Sequence, residues 1–143
     1  MVNRGSISQP YKKYAWKKQY ASLDQLIVVQ NTWYPILATT EDCKLKLLTI
    51  RQDNTGAAAA DIEVRIIIDG ATLTATLGAR ARGTLVPIKL KSDENNLVDG
   101  TSNVGFYTDL EGQSVSADMR QTSAVGAGGR LRAYLHYATL EAT

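Results

Sequence analysis

From Asp61 to Leu77 the chain reads DIEVRIIIDGATLTATL, with Ile62, Val64, Ile66 and Ile68 at every second position. Successive side chains of a strand point to opposite faces, so this spacing lays four aliphatic groups on one buried face. Asp69-Gly70 follows, a dipeptide that readily takes the positive φ angles of a two-residue hairpin turn. Leu73, Ala75 and Leu77 then alternate with Thr72, Thr74 and Thr76, and threonine suits the wet side of a sheet. The pattern predicts a hairpin with one dry face, which a second sheet must cover.

The same alternation recurs along the chain. Leu23 to Val29 and Thr32 to Leu37 are apolar runs separated by a Gln30-Asn31 turn or bulge, and Pro35, lacking a ladder donor, places the second run at a sheet edge or strand end. Cys43, Leu45 and Leu47 alternate with Lys44 and Lys46, after which Leu48 and Ile50 take the opposite parity. That change marks a bulge or a strand covered on both sides. Asp53 to Ala60 is a loop whose alanines are too few for a stable helix. Gly78 to Gly83 reads as a connection, Thr84 to Lys91 as a strand, and Ser92 to Asn103 as a long polar loop of turn-forming residues. Val104 to Thr108 and Gln113 to Met119 read as short strands around a turn at Leu110-Glu111-Gly112. Arg130 to Leu140 is the last strand, burying Leu131, Ala133, Leu135 and Tyr137.

About eight strands with turn signals between them and no long helical period predict an all-β fold, an antiparallel two-sheet β-sandwich of jelly-roll type. An internal echo is visible: Arg51-Gln52, a loop and Ile62 to Ile68 align without gaps to Arg120-Gln121, a loop and Leu131 to Tyr137, at an offset of 69. With Arg, Gln and one alanine pair identical, it is weak as evidence of duplication.

Composition narrows the class. A chain of 143 residues, 44% of them apolar, is the size of one domain and holds no run of 18 apolar residues, so neither a membrane span nor a secretory leader is expected. One cysteine, Cys43, excludes an internal disulfide, and its parity with Leu45 and Leu47 predicts a buried, inert thiol. The net charge of +2 conceals an asymmetry: residues 1–23 carry +5 from Arg4, Lys12, Lys13, Lys17 and Lys18 with no acid, leaving −3 on the remainder. The chain therefore divides into a basic aromatic N-terminal arm, 1–23, and a sandwich domain, 24–143. After Pro10, Tyr11 to Tyr20 has the features of a short helix, with Lys13 and Lys17 on one face and Trp16 and Tyr20 on another.

No catalytic constellation emerges. His136 is the sole histidine, on the outward parity of the last strand, and reads as a surface or interface residue. Gly126-Ala127-Gly128-Gly129 lacks the Lys and Ser/Thr of a phosphate loop and opens a strand, so it is a strand connection. Asp93, Glu94, Asn95, Asn96 and Asp99 gather oxygen ligands but lack the spacing of a calcium loop, and a solvated turn is the reading. The sequence thus points to no enzyme, metal or cofactor. The arm is different. Its cations attract phosphates, and Tyr11, Tyr14, Trp16 and Tyr20 are fit to stack on exposed bases or to cover a partner.

Lys12-Lys13 and Lys17-Lys18 in the arm, IEVRIIIDG in the body and the terminal RLRAYLHYATLE strand resemble, in layout, the single jelly-roll structural proteins of viruses and phages: coat, decoration and tail-associated subunits. The resemblance implies a non-enzymatic subunit that self-assembles into a virion as a homo-oligomer beside other virion proteins, without a membrane. Its arm (Arg4, Lys12, Lys13, Tyr14, Trp16, Lys17, Lys18, Tyr20) would contact neighbours or nucleic acid. Outward residues Ile67, Tyr134, His136 and Leu140 would form the oligomer interface. The alternative is a carbohydrate- or receptor-binding sandwich, fibre-like, using the loops Asp53 to Ala60, Ser92 to Asn103 and Ala124 to Gly129.

Overall fold

Ile62, Val64 and Ile66 do line a buried face, and the strand that holds them is the centre of one sheet. The computed structural model describes residues 13–91, 96–99 and 110–142. Among these there are ten strands and no helix: β1 (Tyr14–Leu26), β2 (Tyr34–Thr39), β3 (Cys43–Gln52), β4 (Ala59–Ile68), β5 (Ala71–Ala81), β6 (Val86–Lys91), β7 (Asn96–Asp99), β8 (Leu110–Gly112), β9 (Val115–Gln121) and β10 (Arg130–Ala142).

The strands form two antiparallel sheets. One is six-stranded, in the order β1-β10-β3-β6-β7 with β8 added against β3; the other is four-stranded, in the order β2-β9-β4-β5. Their pairings are concentric in sequence: β4 with β5, outside them β3 with β6, then β2 with β9, and outermost β1 with β10. A long hairpin wrapped round in this way is a jelly roll, and β7 and β8 are additions within the β6–β9 connection. Each sheet turns one apolar face inward. Leu45, Leu48, Ile50, Ile88, Leu131 and Leu135 from the larger sheet meet Ile62, Val64, Ile66 and Met119 from the smaller, all essentially inaccessible to solvent. Fully burying side chains of this size stabilises by about 1.5–3 kcal/mol each, which makes this double layer the main source of stability.

Several local signals act as their chemistry requires. Asp69 and Gly70 have φ of 49° and 86°, the paired positive angles of a type I′ turn, and Ile68 pairs with Ala71 across it. β2, with Pro35, lies at the edge of its sheet, where a missing N–H costs no ladder bond. The parity change in β3 is a bulge: His136 pairs with Leu47 and Tyr137 with Leu45, so Lys46 is the extra residue. The glycine run before β10 is a strand connection. Gly128, at φ 76°, accepts the Thr55 N–H at 3.0 Å, and a side chain there would collide with Thr55.

The structure corrects several local expectations. Tyr11 to Tyr20 is not a helix in its described part: from Tyr14 onward it is β1, paired residue for residue with β10 from Tyr14↔Ala142 to Leu26↔Arg130. A ten-residue helix without a wide apolar stripe has little to hold it, whereas thirteen residues beside β10 satisfy one side of the backbone and place Ala21 and Leu23 against the core. The expected division after residue 23 falls inside this strand. The connection at Gly78 to Gly83 begins as strand, because Gly78 is the bulged residue opposite the Asp61/Ile62 step and β5 continues to Ala81. Leu110 to Gly112 is not a turn but β8, paired with Cys43 to Leu45, and the turn follows at Gln113-Ser114. Within Ser92 to Asn103, Asn96–Asp99 is strand. The expected strand Val104 to Thr108 lies outside the described residues, as do Arg4, Lys12 and Asp93 to Asn95.

Candidate functional site

Because β1 is a strand, its alternate residues Tyr14, Trp16, Lys18 and Tyr20 point to one side, away from the core. All four are exposed, Tyr20 to 69%, Tyr14 to 57% and Trp16 to 39%. The neighbouring strand adds its own outward row. Tyr20 pairs with His136, Lys18 with Ala138 and Trp16 with Leu140. The rings of Tyr20 and His136 meet edge to face, 4.8 Å apart at 82°.

β3 supplies the third row. Lys44 lies opposite Ala138, and its ammonium sits 4.5 Å from the centre of the Trp16 ring. The bulge turns Lys46 outward alongside Leu47. Ala138, the smallest side chain in its row, leaves a notch between the Trp16 and Tyr20–His136 rings. The result is a groove of ≈ 330 Å³ lined by Trp16, Lys18, Tyr20, Lys46, His136 and Ala138. Tyr137 borders it beneath the bulge. Burial, then the proximity of Cys43 and Glu41, keeps its phenol above the usual range and so protonated.

Lys18, Lys44 and Lys46 lie around the groove, with Glu111 3.8 Å from Lys44 and Asp42 edging the hollow beside Trp16 and Leu140. At the far end of the same strands the cations are matched. Arg130 donates to both oxygens of Asp24 at 2.8 and 2.7 Å, Arg51 donates to Asp53 at 2.9 Å, and Arg132 lies between the two acids, 3.6 Å from Asp24 and 3.3 Å from Asp53.

The structure thus brings Tyr14, Trp16, Lys18, Tyr20, Tyr134, His136 and Leu140 to one sheet face, with Lys13 exposed just ahead of it. It separates the others. Lys17 is on the opposite parity, 3.8 Å from Glu141, and Ile67 is half-buried on the other sheet. Lys44, Lys46 and Ala138 were not singled out from the sequence. The lysines alternate visibly with Cys43 and Leu45, but nothing local tells that a strand ninety residues later brings aromatics beside them.

Two further surfaces stand out. On the outer face of the small sheet, Trp33 is stacked by two guanidinium groups, 4.2 Å from Arg65 and 4.4 Å from Arg120, themselves paired with Asp118 and Glu63. At the end of the sandwich where β1 finishes, Leu26, Ile27 and Val29 are exposed, Ile27 to 85%, beside a hollow edged by Gly126 to Gly129. Asp53 to Ala60 and Ala124 to Gly129 meet at this end, where Asp53 N donates to Arg130 O at 2.8 Å. Among the described residues no three His, Cys, Asp or Glu side chains come together as a metal site.

No protein-family model matches the sequence, and no curated protein matches it. Among solved structures, the chain is similar to one in the capsid asymmetric unit of cyanophage Pam1, at 13% identity and a TM-score of 0.51, over 91% of this chain and 90% of that one. It is also similar to chains of infectious bursal disease virus, Gx and Gt strains, at 10% and 12% identity and TM-scores of 0.40 and 0.38. There it covers 90% and 89% of itself but 33% of each viral chain. The likeness to the Pam1 chain shows a shared two-sheet β-sandwich fold over most of both chains.

Proposed function

We propose that this protein is a non-enzymatic structural subunit of a viral or phage-like particle, located in the virion and associating with copies of itself. One observation carries the reading: Ile27 is 85% exposed, flanked by exposed Leu26 and Val29, and held at a φ of 55°. A β-branched residue at positive φ is strained, and three exposed aliphatic groups within four positions gain nothing in a monomer. A neighbouring subunit seated on this corner would bury all three. The long strand β1 supports the same reading, since among the described residues it is the edge of its sheet and an edge invites pairing with a partner. The fold shared with a phage capsid chain agrees with it. In this proposal Tyr134, Leu140 and Ile67 extend the contact surface, and the segment carrying Arg4 and Lys12 reaches a neighbour or packaged nucleic acid.

The test is the mass of the purified full chain by light scattering, with electron microscopy of the same sample. The expected result is a defined oligomer or particle, dispersed by Ile27→Asp. A monomer at every concentration tested, or an oligomer indifferent to Ile27→Asp and Leu26→Asp together, would overturn the reading.

A further inference from the structure

We infer that β1 pairs with β1 of a second copy, antiparallel and about a two-fold axis, so that the larger sheets of the two copies become one. The inference rests on the self-association proposed above and names the surface and register that perform it. Natural sheets blunt an edge with proline, a bulge or a short strand. β1 has none of these: it is thirteen residues long, contains no proline, keeps its register with β10 unbroken and, among the described residues, is the edge of its sheet. What the strand carries is self-complementary. Its start holds the exposed rings of Tyr14 and Trp16, and its end the exposed Leu26, followed by Ile27. Antiparallel pairing lays the start of each copy on the end of the other, so one contact, repeated by symmetry, covers both clusters.

The side chains select the register. Directly opposite residues of an antiparallel pair point to the same side, so keeping both cores beneath the joined sheet sets the outward row of one β1 against the outward row of the other. An axis at Ala21 puts Trp16 opposite Leu26, Lys18 opposite Asp24 and Tyr20 opposite Ser22: ring on aliphatic, cation on anion, large on small. On the inward row Ala21 meets itself, Gln19 lies opposite Leu23, and Lys17, already 3.8 Å from Glu141, lies opposite Gln25. An axis at Tyr20 leaves Trp16 opposite Asp24 and Lys18 opposite Ser22; an axis at Ser22 leaves Lys18 opposite Leu26. An axis at Lys18 sets lysine against lysine, and like charges directly opposite destabilise. Asp24 is already held by Arg130 and Arg132, so Lys18 adds register more than affinity, and the Trp16–Leu26 contact at each end supplies most of the energy.

The test is disulfide linkage between full-length copies carrying single cysteines on β1, with scattering mass recorded on the same samples; Cys43 is buried and out of reach. Opposite residues of an antiparallel pair have Cα atoms about 4.5–5.5 Å apart, within the span of a disulfide, whereas diagonal ones are about 7–8 Å apart. Tyr20→Cys mixed with Ser22→Cys should therefore link in oxidant at least about tenfold more than either variant alone, and Lys18→Cys with Asp24→Cys likewise. Trp16→Ala should raise the dissociation constant of the pair by about tenfold in sedimentation, with circular dichroism unchanged because the ring is exposed. A chain that self-associates, and is dispersed by Ile27→Asp, but in which neither mixture links would overturn this inference and leave self-association standing; the edge would then belong to residues 1–12 or to another surface of the chain. Linkage of Tyr20→Cys alone or Ser22→Cys alone would overturn the axis at Ala21. A monomer at every concentration would overturn both the pairing and the self-association.

Discussion

Asn54 and Gln121 meet between the two sheets, Asn54 Nδ2 donating to Gln121 Oε1 at 2.5 Å although 67 residues separate them. Both are buried, and neither is left short of partners. Asn54 N donates to Gln52 Oε1 at 3.0 Å, Gln52 Nε2 to Arg80 O at 3.0 Å, Gln121 Nε2 to Ala124 O at 3.1 Å, and Arg130 N to Asn54 Oδ1 at 2.5 Å. A buried amide costs stability unless it is satisfied, and this set is closed. It fastens the end of β3, the end of β9 and the start of β10 to one residue, Asn54.

Asn54→Ala should therefore be severe for so small a change. It leaves Gln121 Oε1 and the Arg130 N–H buried without partners, at about 1–3 kcal/mol each. Urea denaturation should show a loss of about 2–5 kcal/mol with an unchanged slope. Asn54→Asp should do no better, since its oxygens keep the Arg130 bond but oppose Gln121 Oε1. A loss below about 1 kcal/mol for Asn54→Ala would mean that water replaces the amide.

This network also marks where sequence reading reached its limit. The echo of Arg51-Gln52 in Arg120-Gln121 was visible, and both glutamines prove to end strands, one in each sheet, facing the same asparagine. Periodicity has no means of showing that a polar residue on the inward parity is satisfied by a loop. The hairpin at Asp69-Gly70, the edge role of Pro35 and the bulge in β3 were legible because each depends on local backbone chemistry. β1 was not. On Tyr14 to Tyr20 the small sheet covers little of the inward side, so Ala15, Lys17 and Gln19 stand where aliphatic residues would betray a strand. β8 is three residues long and exists through its pairing with β3, which no window along the chain contains. The groove was half legible for the same reason: Trp16, Lys18 and Tyr20 are neighbours in sequence, whereas Lys46 comes from β3 and His136 from β10.

Trp33 should contribute stability through its two arginines. The ring lies between Arg65 and Arg120, each oriented by an acid: Asp118 accepts from Arg65 Nη2 at 3.1 Å, and Glu63 from Arg120 Nε at 2.8 Å. Each cation–π contact is worth about 0.5–1 kcal/mol at such a site, to which the loss of ring packing adds. Trp33→Ala should cost about 1–3 kcal/mol in denaturation. Arg120→Lys should recover little, because an ammonium cannot lie flat on the ring while holding Glu63. A fully stable Arg120→Lys variant would show that the charge, and not the planar guanidinium, is what matters.

Cys43 is buried, and burial, with the nearby Glu41 charge a smaller cause, pushes its thiol up to about 11. The thiolate is the reactive form, so alkylation near neutral pH should be negligible in the native protein and should follow the unfolding transition in urea. The same shift fixes a pH effect. The folded state holds this proton more tightly than the unfolded chain, whose value is 9.0, so stability should be intact below about pH 9 and fall as pH rises toward about 11. Cys43→Ala should lose that alkaline slope while carrying a constant packing penalty. Rapid labelling of the native protein at neutral pH would contradict the burial.

Asp24 should govern the acid side. The hydrogen bonds from Arg130 hold its carboxyl below the usual range, slight desolvation opposes them, and the charges of Arg130 and Arg132 add to the lowering. A carboxyl lowered on folding stabilises above its unfolded value of 3.8, and that stabilisation is lost as pH falls through the lower folded value. Wild type should therefore be more stable than Asp24→Asn at neutral pH, with the gap closing in acid. The pair is open to solvent, so the gap should be modest and shrink in high salt. A gap that persisted at the acid end would assign Asp24 an effect other than its charge. Asp24 pairs with Arg132 in the β1–β10 ladder two residues before Leu26, so the same variant also tests whether this ion pair keeps the aliphatic corner in place. Faster amide exchange confined to the end of β1 in Asp24→Asn, with the rest of β10 unchanged, is the expected signature.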